Sequence, residues 1–157
     1  MSRINVLAVL TIIGNLLSVP CSLSAQAVSQ SALAKATSIK CTFSLMTLSS
    51  LRDEPPKAEV KPITLVLQFD GINSDEGTAQ LKSGVGAYDI VVRYAQGYLN
   101  FVQSFREGPL YVTTILDQKT RGGKLKAMHS RHEFTTVALA GWTSSPEQYY
   151  GECEILK

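Results

Sequence analysis

Both histidines of this chain lie in one short stretch, Lys124-Leu125-Lys126-Ala127-Met128-His129-Ser130-Arg131-His132-Glu133. Imidazole beside guanidinium and carboxylate could bind a metal, move a proton or anchor the head of a ligand. What the set can do depends on the backbone beneath it. On a strand, alternate side chains go to opposite faces, so His129 shares a side with Arg131 and Glu133, whereas His132 goes with Met128 and Ser130. The two imidazoles then diverge, and an ion held by both would need a bulge or a helical turn. No metal site and no cofactor is assigned from these residues. The face that starts with Leu125 and Ala127 and ends in His129, Arg131 and Glu133 brings polar groups into an apolar interior toward one end. Two readings stay open. The groups could orient the head of an amphipathic ligand held by apolar walls, or they could form a paired structural network that closes that end.

A basic run overlaps this stretch: Lys119, Arg121, Lys124 and Lys126, with no acid between Asp117 and Glu133. Such a hairpin could dock an anionic macromolecule, or it could be a solvated edge that lysines protect from strand pairing. Other chemistry is sparse. Gly122-Gly123-Lys124 is followed by Leu125 where a phosphate-binding loop needs Ser or Thr, and no Gly-x-Ser-x-Gly elbow occurs. Asp53/Glu54 and Asp75/Glu76 are sequence neighbours in expected loops, without the separation across a cleft that glycosidase chemistry requires. No catalytic residue is assigned. Lys+Arg 15 against Asp+Glu 13, a formal charge of +2, lacks the basic excess of a nucleic-acid binder, and no nucleic-acid partner is expected.

The elements that must position these residues begin after an N-terminal segment with its own logic. Met1-Ser2-Arg3 precedes an apolar run from Ile4 to Leu17, and Ala25-Gln26-Ala27 has the form of a peptidase site. These are the parts of a cleavable export signal, with the cut expected after Ala27. The run is short and polar-interrupted for a membrane span, so no transmembrane segment is expected in the mature chain. Removing residues 1–27 takes away Cys21 and leaves Cys41 and Cys153. In an oxidising compartment, periplasmic or extracellular, these form one disulfide that makes neighbours of the two ends of the domain.

From Val28 onward, residues 28–37 are expected as a flexible or short helical start, and residues 38–157 as a single β domain. Ile39, Cys41, Phe43 and Leu45 alternate with Lys40, Thr42 and Ser44, and Ile63, Leu65, Leu67 and Phe69 alternate with Thr64 and Gln68. Between these strands, Leu48 to Lys61 is charged and interrupted by Pro55-Pro56, and is expected as an exposed loop. Turn signals then separate short runs rich in Val, Ile, Thr, Tyr and Phe: Thr78–Lys82, Tyr88–Tyr94, Tyr98–Ser104, Leu110–Leu116, Lys124–Glu133 and Tyr149–Ile155. Phe134 to Trp142 does not alternate well. The expected fold is therefore all-β, an antiparallel meander of about eight strands. A closed or nearly closed barrel is favoured, with a two-sheet sandwich as the alternative.

Trp142 and the aromatics of the strands, Tyr88 among them, belong to the core or to the lip of a ligand site. The architecture resembles that of lipocalin barrels, exported and disulfide-bridged binders of apolar molecules. Their Gly-x-Trp near the first strand is missing, since the single tryptophan directly follows Gly141. The resemblance concerns architecture only, and fold does not dictate function. The expected function is an exported, non-enzymatic barrel that binds a lipid or other small apolar molecule, with His129, Arg131, Glu133, Tyr88 and Trp142 as candidate contacts. The alternative is an interaction protein with a filled core that docks a macromolecule through Lys119 to Lys126.

Overall fold

In the computed structural model, which describes residues 31–83, 86–134 and 145–157, the alternating runs become eight antiparallel strands. They are β1 (Ile39–Ser50), β2 (Lys57–Asn73), β3 (Thr78–Ser83), β4 (Gly86–Ala95), β5 (Tyr98–Ser104), β6 (Leu110–Lys119), β7 (Leu125–His132) and β8 (Glu147–Ile155). Each pairs with its sequence neighbour, and β8 returns to pair with β1, so one sheet closes into a ring and the two-sheet sandwich is set aside. Closure satisfies the strand edges that an open sheet leaves unpaired.

Short loops fix the order. Gln96 and Gly97 both take positive φ (50° and 82°) between the paired residues Ala95 and Tyr98, a two-residue hairpin whose twist matches that of the strands. Asn73 accepts the amides of Asp75 and Glu76 on its side-chain oxygen and that of Gly77 on its carbonyl, which folds the β2–β3 turn.

The seam between β1 and β8 is covalent. Cys41 and Cys153 are directly opposed in register and joined by a disulfide with Cα atoms 4.0 Å apart, closing a sequence separation of 112. One step further along, Gly151 faces Phe43, and a Cβ on it would meet the Thr42 carbonyl oxygen at 2.1 Å and the Phe43 Cα at 2.6 Å. Only glycine lets the two backbones approach this closely.

The alternation expected in β1 breaks at this point. Between the row of Phe43 and the row of Met46, β8 advances from Gly151 to Tyr149, β1 from Phe43 to Met46 and β2 from Leu65 to Lys61. Each successive strand needs one more residue to cover the same step, a fan of bulges that flares the sheet. Leu45, expected to point inward, is therefore 42% exposed, and Met46 takes the core position. Pro62 lies inside β2 at this irregularity, where a missing amide is tolerated. The expected loop from Leu48 to Lys61 is corrected as well. β1 runs to Ser50 and β2 starts at Lys57, because the chain past the bulge keeps partners on both sides as far as Leu48.

The interior is filled from the closed end upward. Residues 31–37 make a single turn in which the Ser31 hydroxyl accepts the amide of Ala34, and Leu33 and Ala36 enter the barrel floor, 1% and 5% exposed. Above them lie Ile39, Leu99, Ile115 and Val92, then Phe43, Phe69 and Phe101, with the last two rings stacked at 4.0 Å. At the floor, Ser38 donates to Asp70, which also faces Lys82. That hydrogen bond, with smaller help from Lys82 and Gln68, holds the carboxyl below its usual range. No helix among the described residues is long and apolar enough to cross a membrane.

Candidate functional site

The end opposite the floor, the mouth, is built from two inward-facing rows across β6, β7 and β8. In the lower row Thr113 pairs with His129 and His129 with Tyr149; in the upper row Tyr111 pairs with Arg131 and Arg131 with Glu147. The expected face of β7 is observed: Leu125, Ala127 and His129 are buried, and Arg131 follows on the same side. His132 points outward and is exposed, so the two imidazoles do diverge. Among the described residues no cluster of His, Cys, Asp or Glu is arranged to hold a metal ion.

His129 is 4% exposed and fully engaged. Arg131 Nε donates to His129 Nε2 at 3.3 Å, and an arginine cannot accept, so Nε2 carries a lone pair. The ring proton is then on Nδ1, which donates to Thr113 Oγ1 at 2.8 Å. The ring packs among Phe43, Tyr111 and Tyr149 at 5.9, 6.0 and 5.5 Å. Burial first, and the adjacent guanidinium second, depress its pKa to about 3. The imidazole stays neutral because charging it would desolvate a cation and turn a donor toward another donor.

Arg131 is held as tightly. Its guanidinium carbon lies 5.2 Å from the ring centroids of both Tyr111 and Tyr149, and Nη1 lies 3.7 Å from Glu147 Oε2. Tyr149 donates its hydroxyl to Glu147, and Tyr111 donates to Glu133 at 2.6 Å. Burial, with the Glu147 contact next, raises the Tyr149 hydroxyl well above its ordinary pKa, so it remains a donor. Phe105 leans edge-on against Tyr111 at 4.8 Å. Of the Arg131–Glu133 and histidine network that the sequence left as one of two readings, the Arg131–His129 contact is present, while Arg131 faces Glu147 and Glu133 accepts from Tyr111.

The other wall of the mouth is apolar. Leu65 and Leu67 of β2 and Leu81 of β3 face inward but are only partly buried, and Ile63, in the irregular stretch of β2, is 37% exposed. Tyr88, opposite Leu81 in register, stands at this rim and is 44% exposed. Beneath the two walls is a cavity of only about 10 Å³, between Phe101, Leu81 and Ile90 on one side and Tyr111, Thr113 and His129 on the other. It has room for about one water molecule.

Of the residues singled out in the sequence, His129, Arg131, Glu133 and Tyr88 lie at this end, beside Tyr111, Thr113, Glu147 and Tyr149, which the sequence reading did not place here. Trp142 lies outside the described residues. The missed residues follow from the alternation once one inward position is known. Counting back from Cys153 in steps of two gives Gly151, Tyr149 and Glu147.

The basic residues lie elsewhere. Lys119, Arg121 and Lys126 are exposed around the β6–β7 turn, at the floor end, and Lys126 is opposite Glu152. Lys124 lies 3.5 Å from Glu152 and 4.0 Å from Glu154. A groove of about 260 Å³ beside this turn has Leu33, Leu125 and Ile155 among its lining and charges of both signs, Asp117, Lys119, Lys124 and Glu154. The run without acids in sequence is thus set among acids from β8 in space.

No family model, no curated protein and no solved structure matches this chain.

Proposed function

We propose that this chain is an exported, non-enzymatic barrel that binds a small apolar or amphipathic molecule across its mouth. The observation that carries the reading is the two-sided mouth: half-exposed Ile63, Leu65, Leu81 and Tyr88 on one wall, and the Tyr111/Arg131/Glu133/Glu147/Tyr149 network on the other. Apolar walls with a few fixed polar groups are what ligand sites share. Phe43, Phe69 and Phe101 fill the barrel below, so the ligand lies along the rim and does not enter the depth of the interior. Export rests on the N-terminal sequence, and the Cys41–Cys153 disulfide fits an oxidising compartment. The basic hairpin is the weaker docking candidate because Glu152 and Glu154 offset Lys124.

Native mass spectrometry of the purified protein, with solvent extraction and titration of an apolar dye, tests the reading. The expected result is a bound small molecule or saturable dye binding that Tyr88→Ser weakens about threefold or more, as loss of aromatic contact area implies. No bound molecule and no saturable binding would overturn it.

A further inference from the structure

The ring does not close to the same height all round. β3 stays with β2 only from Asn73 to Gln68, which pairs with Lys82, and the chain turns back at Ser83 into β4. β2 continues toward the mouth to Lys57 with β1 on one side of it. Along Lys57–Val66, no strand among the described residues pairs with its other side. Every residue from Lys57 to Thr64 is exposed, Val60 at 65%, and none belongs to the core.

The ladder shows which backbone groups this open edge presents. Ser49 donates its amide to the Pro146 carbonyl, so Ser49 and, by alternation, Thr47 face β8, while Met46, Leu48 and Ser50 face β2. Their partners Lys61, Glu59 and Lys57 turn their backbone groups to β1. Ala58, Val60 and Pro62, between them, turn theirs to the open side. Pro62 has no amide to leave unpaired there. The side chains divide in the same way: Lys57, Glu59 and Lys61 share the side of Met46, whereas Ala58, Val60 and Pro62 share the outer side with Leu45, which is 42% exposed.

An open edge invites another strand, and a row of lysines repels one. Here the charges alternate in sign, Lys57, Glu59, Lys61. A second copy laid antiparallel with a two-fold axis at Val60 sets each Glu59 opposite Lys61 of the other copy. An axis at Glu59 would set Glu59 against itself and Lys57 against Lys61, and an axis at Ala58 would run Val60 against Pro56, outside the strand. With the axis at Val60, the two Val60 residues bond across it and each Ala58 amide meets a Pro62 carbonyl, about four hydrogen bonds in all. We infer that this chain pairs edge to edge with a second copy of itself through Ala58–Pro62 of β2, which joins two barrels in one continuous sheet.

Sedimentation of the purified, disulfide-bonded protein tests the pairing. The expected result is a reversible dimer with a dissociation constant of about 10 to 100 µM, as befits a small interface. Val60→Pro removes only an amide directed away from β1, so the thermal midpoint should hold while dimerisation weakens about tenfold or more. Glu59→Lys and Lys61→Glu should each weaken self-association about fivefold by setting like charges opposite. Mixed one to one, these two variants should form a heterodimer as tight as the unaltered dimer, since Lys then meets Glu at both positions. A protein monomeric at about 300 µM, or a dimer that neither Val60→Pro nor the charge variants move, would overturn the inference. So would a monomer that takes up a synthetic alternating Thr-Val peptide and loses it in Val60→Pro, since the edge would then serve a foreign strand.

Discussion

The two ends of this barrel are closed by different means. The floor is sealed by the chain itself: the turn at residues 31–37 pushes Leu33 and Ala36 into an apolar end, and the Cys41–Cys153 bridge lies in the rows just above. Among the described residues the mouth is closed on one wall, by side chains that donate to and accept from one another, while Ile63 and Tyr88 on the other side are in contact with water. The inward contacts at the floor are apolar and do not titrate, although Asp70, held by Ser38 and Lys82, does. The network at the mouth contains a buried imidazole, two carboxylates and a guanidinium, so its stability depends on protonation. The end built for permanence and the end built for contact with solvent chemistry thus differ in what their inward rows contain, although the same strands supply both.

The largest effect is expected where both ends depend on one residue. Gly151 belongs to the row between disulfide and network, and its backbone lies against β1 too closely for a Cβ, with the Thr42 oxygen 2.1 Å from that position. Backbone on both sides cannot swing aside as a long side chain would. Gly151→Ala should therefore cost about 3 kcal/mol or more, read as a drop in the urea midpoint. The loss should be equal whether it is followed by a probe at the mouth or at the floor. A fall seen only at the mouth would mean that the floor keeps its seam without this contact.

A smaller effect distinguishes the ends by pH. His129 titrates near 6.5 in the unfolded chain but only at about 3 when folded. Between those values the unfolded state holds the extra proton, so stability is complete above about pH 6.5 and declines as pH falls toward 3. By pH 5 the loss attributable to this one group is about 2 kcal/mol. His129→Gln, which can still bond Thr113, should flatten the stability profile between pH 6.5 and 5. A chain whose urea midpoint is as high at pH 5 as at pH 7 would show that the imidazole is not held neutral.

Much of this arrangement was legible before the structure, and the failures have specific causes. Alternation placed the first two strands, turn signals and β-rich composition placed the rest, and the expected export signal, which would take Cys21 with it, singled out Cys41 and Cys153. Parity on β7 put His129, Arg131 and Glu133 on one side. Leu45 went wrong because a bulge shifts parity without leaving any mark in hydrophobicity. The extensions of β1 and β2 were hidden because Glu59 and Lys61 look like a loop when no apolar face is needed to hold them. Tyr111 and Tyr149 escaped because each is unremarkable in its own strand. Their role comes from register, which sets both beside Arg131, and register is a property of strand pairs that no single run encodes.

The smallest expected effect on stability is the sharpest test of the difference between the two ends. Ile63, in the irregular stretch of β2 toward the mouth, is 37% exposed where Phe69 of the same strand is 1%. If its apolar surface served the core, Ile63→Thr would cost what other core truncations cost. Because much of that surface already meets water, little transfer free energy is lost, and threonine keeps the β-branched shape that suits a strand. The change should therefore stay within about 0.5 kcal/mol. Affinity for an apolar dye should nonetheless fall about threefold, since the same surface is the part a ligand would cover. Stability and binding thus separate at this residue if the apolar wall of the mouth is a contact surface, and move together if it is core that happens to lie near an edge.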